Sequence, residues 1–160
     1  MKEILLTQDK VTFVDDADYD ELSKYKWYAH KEGRSFYAVR GYSQESGNRS
    51  IIRMSRQILG LEPGDKRQAD HQNHNTLDNR QDNLRICSNW ENLINRRADS
   101  NSTSQFKGVS WDKENKKWRA DISINGVRKN LGRFMLEELA ALAYDMVAIR
   151  EHGEFACLNF

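Results

Sequence analysis

Along the first third of the chain, short apolar runs are separated by polar turns. Ile4-Leu5-Leu6 and Val11-Thr12-Phe13-Val14 are followed by an acidic turn at Asp15-Asp16, then by Trp27-Tyr28-Ala29 and Phe36-Tyr37-Ala38-Val39 on either side of Gly33. β-branched and aromatic runs of this length predict strands, with the aromatics packing a core. Residues 41–47 read as a loop before a further run at Ile51-Ile52-Arg53-Met54. The single proline, in Leu61-Glu62-Pro63-Gly64-Asp65, marks a turn. From there to Asn83 the chain is too rich in Asn, Asp and Gln to pack a core, and reads as an ordered loop or a site.

Ser88-Asn89-Trp90-Glu91 has the form of a capping box, serine at the N-cap and glutamate at the third helical position. It predicts a helix through Leu93 and Ile94 towards Arg97. The polar stretch 99–104 is the best domain boundary in the chain. Beyond it, Val109 and Trp111 suit a strand. Trp118, Ala120, Ile122 and Ile124 alternate with Arg119, Asp121 and Ser123, giving a second strand with one buried and one wet face. Asn125-Gly126 is a strong hairpin signal, and Val127 to Phe134 supplies a third strand. Leu139, Leu142, Ala143, Met146 and Ile149 then recur at helical spacing as the expected core face of a helix that Gly153 stops. The prediction for this part is a three-stranded antiparallel sheet backed by one helix.

Composition supports several small domains over one compact globule. Mean hydropathy is −0.86. Hydrophobic residues make up 38% and charged residues 31%, while an aromatic content of 10% argues against disorder. No apolar run approaches the length of a membrane span, and Met1-Lys2-Glu3 followed by three apolar residues is too short for a signal peptide. The expectation is a soluble protein of the cytoplasm, in a bacterial or phage-infected cell. Two cysteines, Cys87 and Cys157, exclude a disulfide framework or a four-cysteine zinc site and read as small buried apolar residues. The net charge of +1 conceals a strong segregation. Residues 49–98 hold nine Lys/Arg against six Asp/Glu, giving +3. Residues 106–134 hold eight against three, giving +5, and residues 135–160 hold one against five, giving −4. Positive charge gathered in two segments is what a phosphate-facing surface requires.

The middle segment carries the chemistry: Asp70-His71 in Ala69-Asp70-His71-Gln72-Asn73-His74-Asn75, then Asp78-Asn79-Arg80, Asn83-Leu84-Arg85, and Asn92 in the predicted helix. Phosphodiester hydrolysis needs a hard cation and a base for water; carboxylate and amide oxygens suit the first, a neutral imidazole the second. Over residues 54–97 the ordered set resembles the HNH endonuclease family, and within it the phage and intron-encoded homing endonucleases whose last motif residue is asparagine. In that family a β-hairpin and a following helix, the ββα-metal core, grip one metal ion. The resemblance implies His71 as general base, Asp70 and Asn92 as ligands of Mg²⁺ (or Mn²⁺), and Asn83 as the residue that orients His71 and fixes the loop. Asn79 and Arg85 match motif positions, and His74 is the competing base. Met54-Ser55-Arg56 departs from the family's usual Met-His-Arg. With no CxxC pairs, no structural zinc is expected.

Residues 104–160 resemble the AP2 DNA-binding domain, through Phe106-Lys107-Gly108-Val109-Ser110-Trp111, Lys117-Trp118-Arg119-Ala120-Asp121-Ile122, Leu131-Gly132-Arg133-Phe134, Ala140-Ala141-Leu142-Ala143-Tyr144-Asp145 and Leu158-Asn159-Phe160. There the exposed sheet face enters the major groove. The resemblance implies DNA contact by Lys107, Ser110, Lys117, Arg119, Asp121, Ser123, Arg128 and Asn130, with Arg and Asn reading base edges and Lys meeting phosphate. Leu136 stands at the helix N-cap, where that family usually has threonine.

The expected whole is an α+β protein: a β-rich segment at 1–53, an HNH core at 54–98, a linker at 99–104 and an AP2-like reader at 105–160. Its expected function is metal-dependent cleavage of double-stranded DNA at a recognised site, with the C-terminal sheet and basic residues around Arg49, Arg53 and Arg56 holding the duplex in register. No membrane association or obligatory protein partner is evident. A non-cutting DNA-binding regulator with a decayed nuclease core is the rival reading; an RNA-binding protein fits less well.

Overall fold

The computed structural model describes residues 1–43, 47–98 and 102–160. These form a mixed α/β protein of several small antiparallel sheets with four α-helices among the described residues. The chain divides into two compact units, Met1–Trp90 and Glu91–Phe160. Residues 44–46 of the expected loop and 99–101 of the expected linker lie outside the described residues.

In the first unit, β1 (Lys2–Leu5) and β2 (Val11–Val14) form a hairpin with Ile4 opposite Thr12. The acidic turn expected next is instead the start of α1 (Asp16–Leu22). Asp16 and Asp18 in its first turn suit the positive end of the helix dipole, and Leu22 is its buried residue. So short a helix needs little apolar periodicity, which is why the sequence pattern did not reveal it. Three further strands, β3 (Tyr28–Glu32), β4 (Ser35–Ser43) and β5 (Arg49–Arg53), lie in chain order in one sheet. β4 extends into the expected loop, with Gly41 paired to Ile51 and Ser43 to Arg49. Met54 opens α2 (Met54–Ile58) and does not continue the strand; it is fully buried among Val14, Leu22, Trp27 and Ala38.

β6 (Gln68–His71) and β7 (Leu84–Cys87) pair antiparallel, joined by a polar loop that ends in a 3-10 turn at Gln81–Asn83. Helix α3 (Asn89–Ile94) begins directly after Ser88, as expected, and stops at Ile94, short of Arg97.

In the second unit, β8 (Val109–Asp112), β9 (Lys117–Ile124) and β10 (Val127–Phe134) form an antiparallel sheet with β9 central. Asn125 and Gly126 both have positive φ, 50° and 78°, as a two-residue hairpin turn demands. Helix α4 (Glu137–His152) backs the sheet, but with a different face from the one expected. Ala140, Ala141, Tyr144 and Ala148 are buried, whereas Leu139, Leu142, Met146 and Ile149 are exposed. The reason is close approach. A Cβ on Gly108 would lie 2.1 Å from the Tyr144 ring, so helix and sheet meet too tightly for large aliphatic residues. The gap holds alanines, with Phe106, Trp118, Leu131 and Phe134 filling around them. Cys87 and Cys157 are both buried thiols, as expected. Among the described residues no helix is long and apolar enough to cross a membrane.

Candidate functional site

The β6–β7 register places Asp70 directly across from Arg85. Side chains facing each other on an antiparallel pair interact, and here Arg85 Nε and Nη2 lie 2.9 and 2.8 Å from Asp70 Oδ2. Both side chains are nearly buried, 6% and 11% exposed. Losing either partner would strand a buried charge, which is the costly way to break such a pair.

His71 is next along the strand and is also buried. Its Nε2 lies 3.2 Å from Asn79 Oδ1, with the Tyr37 ring tilted against it at 6.4 Å. The tautomer follows from the next links. Asn79 Nδ2 donates to Thr12 Oγ1 at 2.8 Å, and Thr12 donates to the Leu77 carbonyl at 2.7 Å. Asn79 Oδ1 is therefore an acceptor, Nε2–H of His71 is the donor, and Nδ1 is the basic nitrogen. Burial pushes the imidazole below its ordinary pKa, against the hydrogen bond to Asn79 and the charges of Asp70 and Asp78. A neutral ring at physiological pH is the form a base requires.

Asn79 is itself anchored by strand β2. Its backbone N–H donates to the Phe13 carbonyl at 2.8 Å, and Phe13 N–H donates to the Leu77 carbonyl at 2.9 Å. Asn83 ties the loop instead: its Oδ1 accepts from Asn73 N–H at 2.9 Å and its Nδ2 donates to the Asp78 carbonyl at 2.7 Å. Asp78 holds Arg80 through two 2.7 Å bonds and accepts from Asn73 Nδ2 at 2.9 Å. The Arg80 hydrogen bonds keep its carboxyl below the ordinary range despite burial. His74 is a loop residue with φ of 64°.

Asn92 lies in α3 beyond the boundary between the units, so of the expected nuclease residues the first unit contains Asp70, His71 and Asn83. Arg49 is exposed, whereas Arg53 stacks on Tyr37 at 4.1 Å and pairs with Glu32. Arg56, expected to help hold the duplex, braces the turn that follows α2. Its guanidinium donates to the carbonyls of Arg67, Glu62 and Asp65 at 2.8, 3.0 and 3.1 Å. Ser55 is buried.

In the second unit the outer sheet face carries Ser110, Lys117, Arg119, Asp121, Ser123, Arg128 and Asn130, as alternation predicts. At its centre Asp121, 9% exposed at the side chain, gathers its neighbours. Arg128 Nη2 and Asn130 Nδ2 donate to it at 2.9 and 3.1 Å, and Arg119 Nε lies 2.8 Å away. Burial raises the Asp121 carboxyl, but Asn130 and Arg128 outweigh it and leave the pKa below its ordinary value. Lys107 is not on this face. It sits in the turn before β8 and its ammonium donates to the Ile94 carbonyl, the last of α3. Arg133 belongs to the face but was not anticipated. A bulge between Asn130 and Gly132 shifts the register, so Arg133 stands opposite Arg119 and reaches Asp112 at 2.7 Å.

No family model matches the chain. Over 140 residues, 86% of its length, the chain is 34% identical to an uncharacterized HNH endonuclease of Acanthamoeba polyphaga mimivirus, covering 68% of that protein. It is 38% identical over 88 residues to Protein 3.8 of Escherichia phage T7, covering 54% of the chain and 71% of the relative. A third similarity, 41% over 63 residues, is to an AP2/ERF and B3 domain-containing protein of Oryza sativa subsp. japonica; it spans 39% of the chain and 17% of the plant protein.

Proposed function

The chain belongs to the HNH endonuclease family, and from that premise we propose that it cleaves phosphodiester bonds of duplex DNA with a divalent cation, His71 serving as the general base. The observation that carries this reading is the buried imidazole held at Nε2 by Asn79, which is in turn fixed by Thr12. His71 takes a proton from the attacking water, and Asn79 holds the ring in place while the proton moves.

The donor chemistry fits a hard cation such as Mg²⁺. Among the described residues no three His, Cys, Asp or Glu gather in metal-holding geometry. Within the first unit, a cation held at Asp70 would have that carboxylate as its protein ligand. Mg²⁺ favours such a sparse shell, completed by water and substrate phosphate. When bound, it supplies charge neutralisation at the phosphate and leaving oxygen. Arg85 fixes the Asp70 carboxylate in orientation until then. Asn83 keeps the loop after β6 in shape.

The second unit is the proposed DNA reader, similar in kind to an AP2 domain, with the Arg119, Arg128 and Arg133 guanidiniums and the Asn130 amide offered to base edges and Lys117 to phosphate. A site-directed, homing-type endonuclease is the resulting assignment. Nicking of supercoiled plasmid tests it: wild type should cut only with Mg²⁺ or Mn²⁺, and His71→Ala should lose cleavage while retaining DNA affinity. Metal-independent cutting, or a His71→Ala protein that cuts normally, would refute the assignment.

A further inference from the structure

Within the first unit, the β3–β4–β5 sheet brings a cation up to the histidine. Val39 and Arg53 are register partners, so strand alternation puts Tyr37, Val39 and Arg53 on the side of the sheet opposite Ala38. Arg53 therefore lies diagonally across from Tyr37, within reach of a long side chain. Its guanidinium carbon stands 4.1 Å from the Tyr37 ring centroid, and the same ring lies 6.4 Å from the His71 imidazole, tilted by 60°. Stacking occupies a face of the guanidinium and leaves its N–H edge to donate to an oxyanion. In the isolated chain that oxyanion is the Glu32 carboxylate. Arg56 and Arg85, by contrast, are committed to the protein's own groups: Arg56 to three backbone carbonyls, and Arg85 to the nearly buried Asp70. The Arg53–Glu32 pair is open to water, with side chains 36% and 56% exposed. An ion pair so exposed contributes little, and a phosphate, which a guanidinium grips through two parallel hydrogen bonds, can displace it.

We propose that Arg53 binds the backbone phosphate at the cleaved position, exchanging the Glu32 carboxylate for it, with Tyr37 as the platform that aims the guanidinium alongside His71. This rests on the nuclease reading and deepens it. Holding a duplex in register needs only charge near the backbone; Arg53 instead meets the negative charge that develops on the phosphate as water attacks. Its loss therefore falls on the cleavage step more than on affinity. Glu32 has the opposite part. It keeps the guanidinium extended over the ring until DNA arrives, and competes with the phosphate for the same N–H edge.

Single-turnover nicking by the full chain, with saturating enzyme and Mg²⁺, tests it. Arg53→Gln should cut about 10²-fold more slowly, the loss typical of one transition-state donor, while DNA affinity falls far less. Should that variant fail to fold, Arg53→Lys takes its place, since it keeps the charge and loses the planar fork. Glu32→Gln should bind duplex more tightly and keep the cleavage rate; unchanged affinity would overturn the exchange. A readout that a merely structural role would not move comes from a duplex with a single phosphorothioate, Rp or Sp, at the mapped cut position. Wild type should be slowed more by the isomer that turns sulfur towards Arg53, and Arg53→Gln should lose that difference. The same isomer preference in both proteins would overturn contact with the reacting phosphate. If wild type cuts and a folded Arg53→Gln protein cuts within about twofold of it, this role fails and the nuclease reading stands. A wild type that never cuts DNA overturns both.

Discussion

Asn79→Ala separates the orientation of the base from its identity. Asn79 is 1% exposed and makes two side-chain links, to His71 Nε2 and to Thr12 Oγ1. Truncation leaves the imidazole N–H without its acceptor and the threonine without its donor. A buried polar group left unsatisfied costs about 1–3 kcal/mol, so the variant should lose on the order of 2–5 kcal/mol of stability. The kinetic effect is distinct. General-base catalysis supplies roughly 10²–10⁴-fold, and a ring free to change tautomer and tilt should forfeit about 10²-fold in the cleavage step. Single-turnover nicking with saturating enzyme, below the variant's melting temperature, isolates that step; DNA affinity is measured alongside and should hold. Asn79→Asp keeps an acceptor for Nε2–H and should recover part of the rate, but not the bond donated to Thr12. A folded Asn79→Ala protein that cuts within about twofold of wild type would refute the claim that this amide sets the base.

Asp121→Asn should release Arg119 and Arg128 from their shared carboxylate; selection from a randomised duplex library should then yield a weaker consensus, with about 1–3 kcal/mol less discrimination at the affected base pair. Unchanged selectivity would mean that Asp121 does not organise the face. Gly108→Ala adds a Cβ 2.1 Å from the Tyr144 ring and 2.7 Å from the Asp121 carbonyl at φ of +76°. Urea unfolding should show a loss of roughly 2–4 kcal/mol, and a change under about 0.5 would contradict the close helix–sheet approach. Asp78 has its folded-state pKa lowered, so its stabilising share is present above the ordinary carboxylate range and is lost as pH falls through and below it. Thermal melts should decline from about pH 5 downward, and Asp78→Asn should start lower at neutral pH and decline less. Equal slopes would remove Asp78 from the explanation.

The strands of the second unit were legible because β9 alternates cleanly, with Trp118, Ala120, Ile122 and Ile124 on one side. Helix α4 was legible as a helix but not as to its face. Its Leu/Met/Ile row and its Ala/Tyr row both have helical period, and only the close approach at Gly108 decides between them. Arg133 escaped because alternation cannot foresee a bulge. Asp70 and His71 were legible as neighbours in a motif, whereas the ion pair with Arg85 depends on a register seen only once β6 and β7 are paired. Asn79 matches a motif position, but its role depends on Thr12, 67 residues away in sequence, and shows only in the folded chain.

That distant threonine bears on what the smallest cutting fragment can be. A peptide beginning at residue 54 would keep Asp70, His71, Asn79, Asn83 and Asn92, and still lack the strand on which the asparagine leans. It would also lose Val14, Leu22 and Trp27, against which Met54 is packed. The recognisable motif is thus one wall of a structure whose opposite wall is the amino-terminal hairpin, and excising the motif should leave its histidine in place along the sequence but unaimed in space.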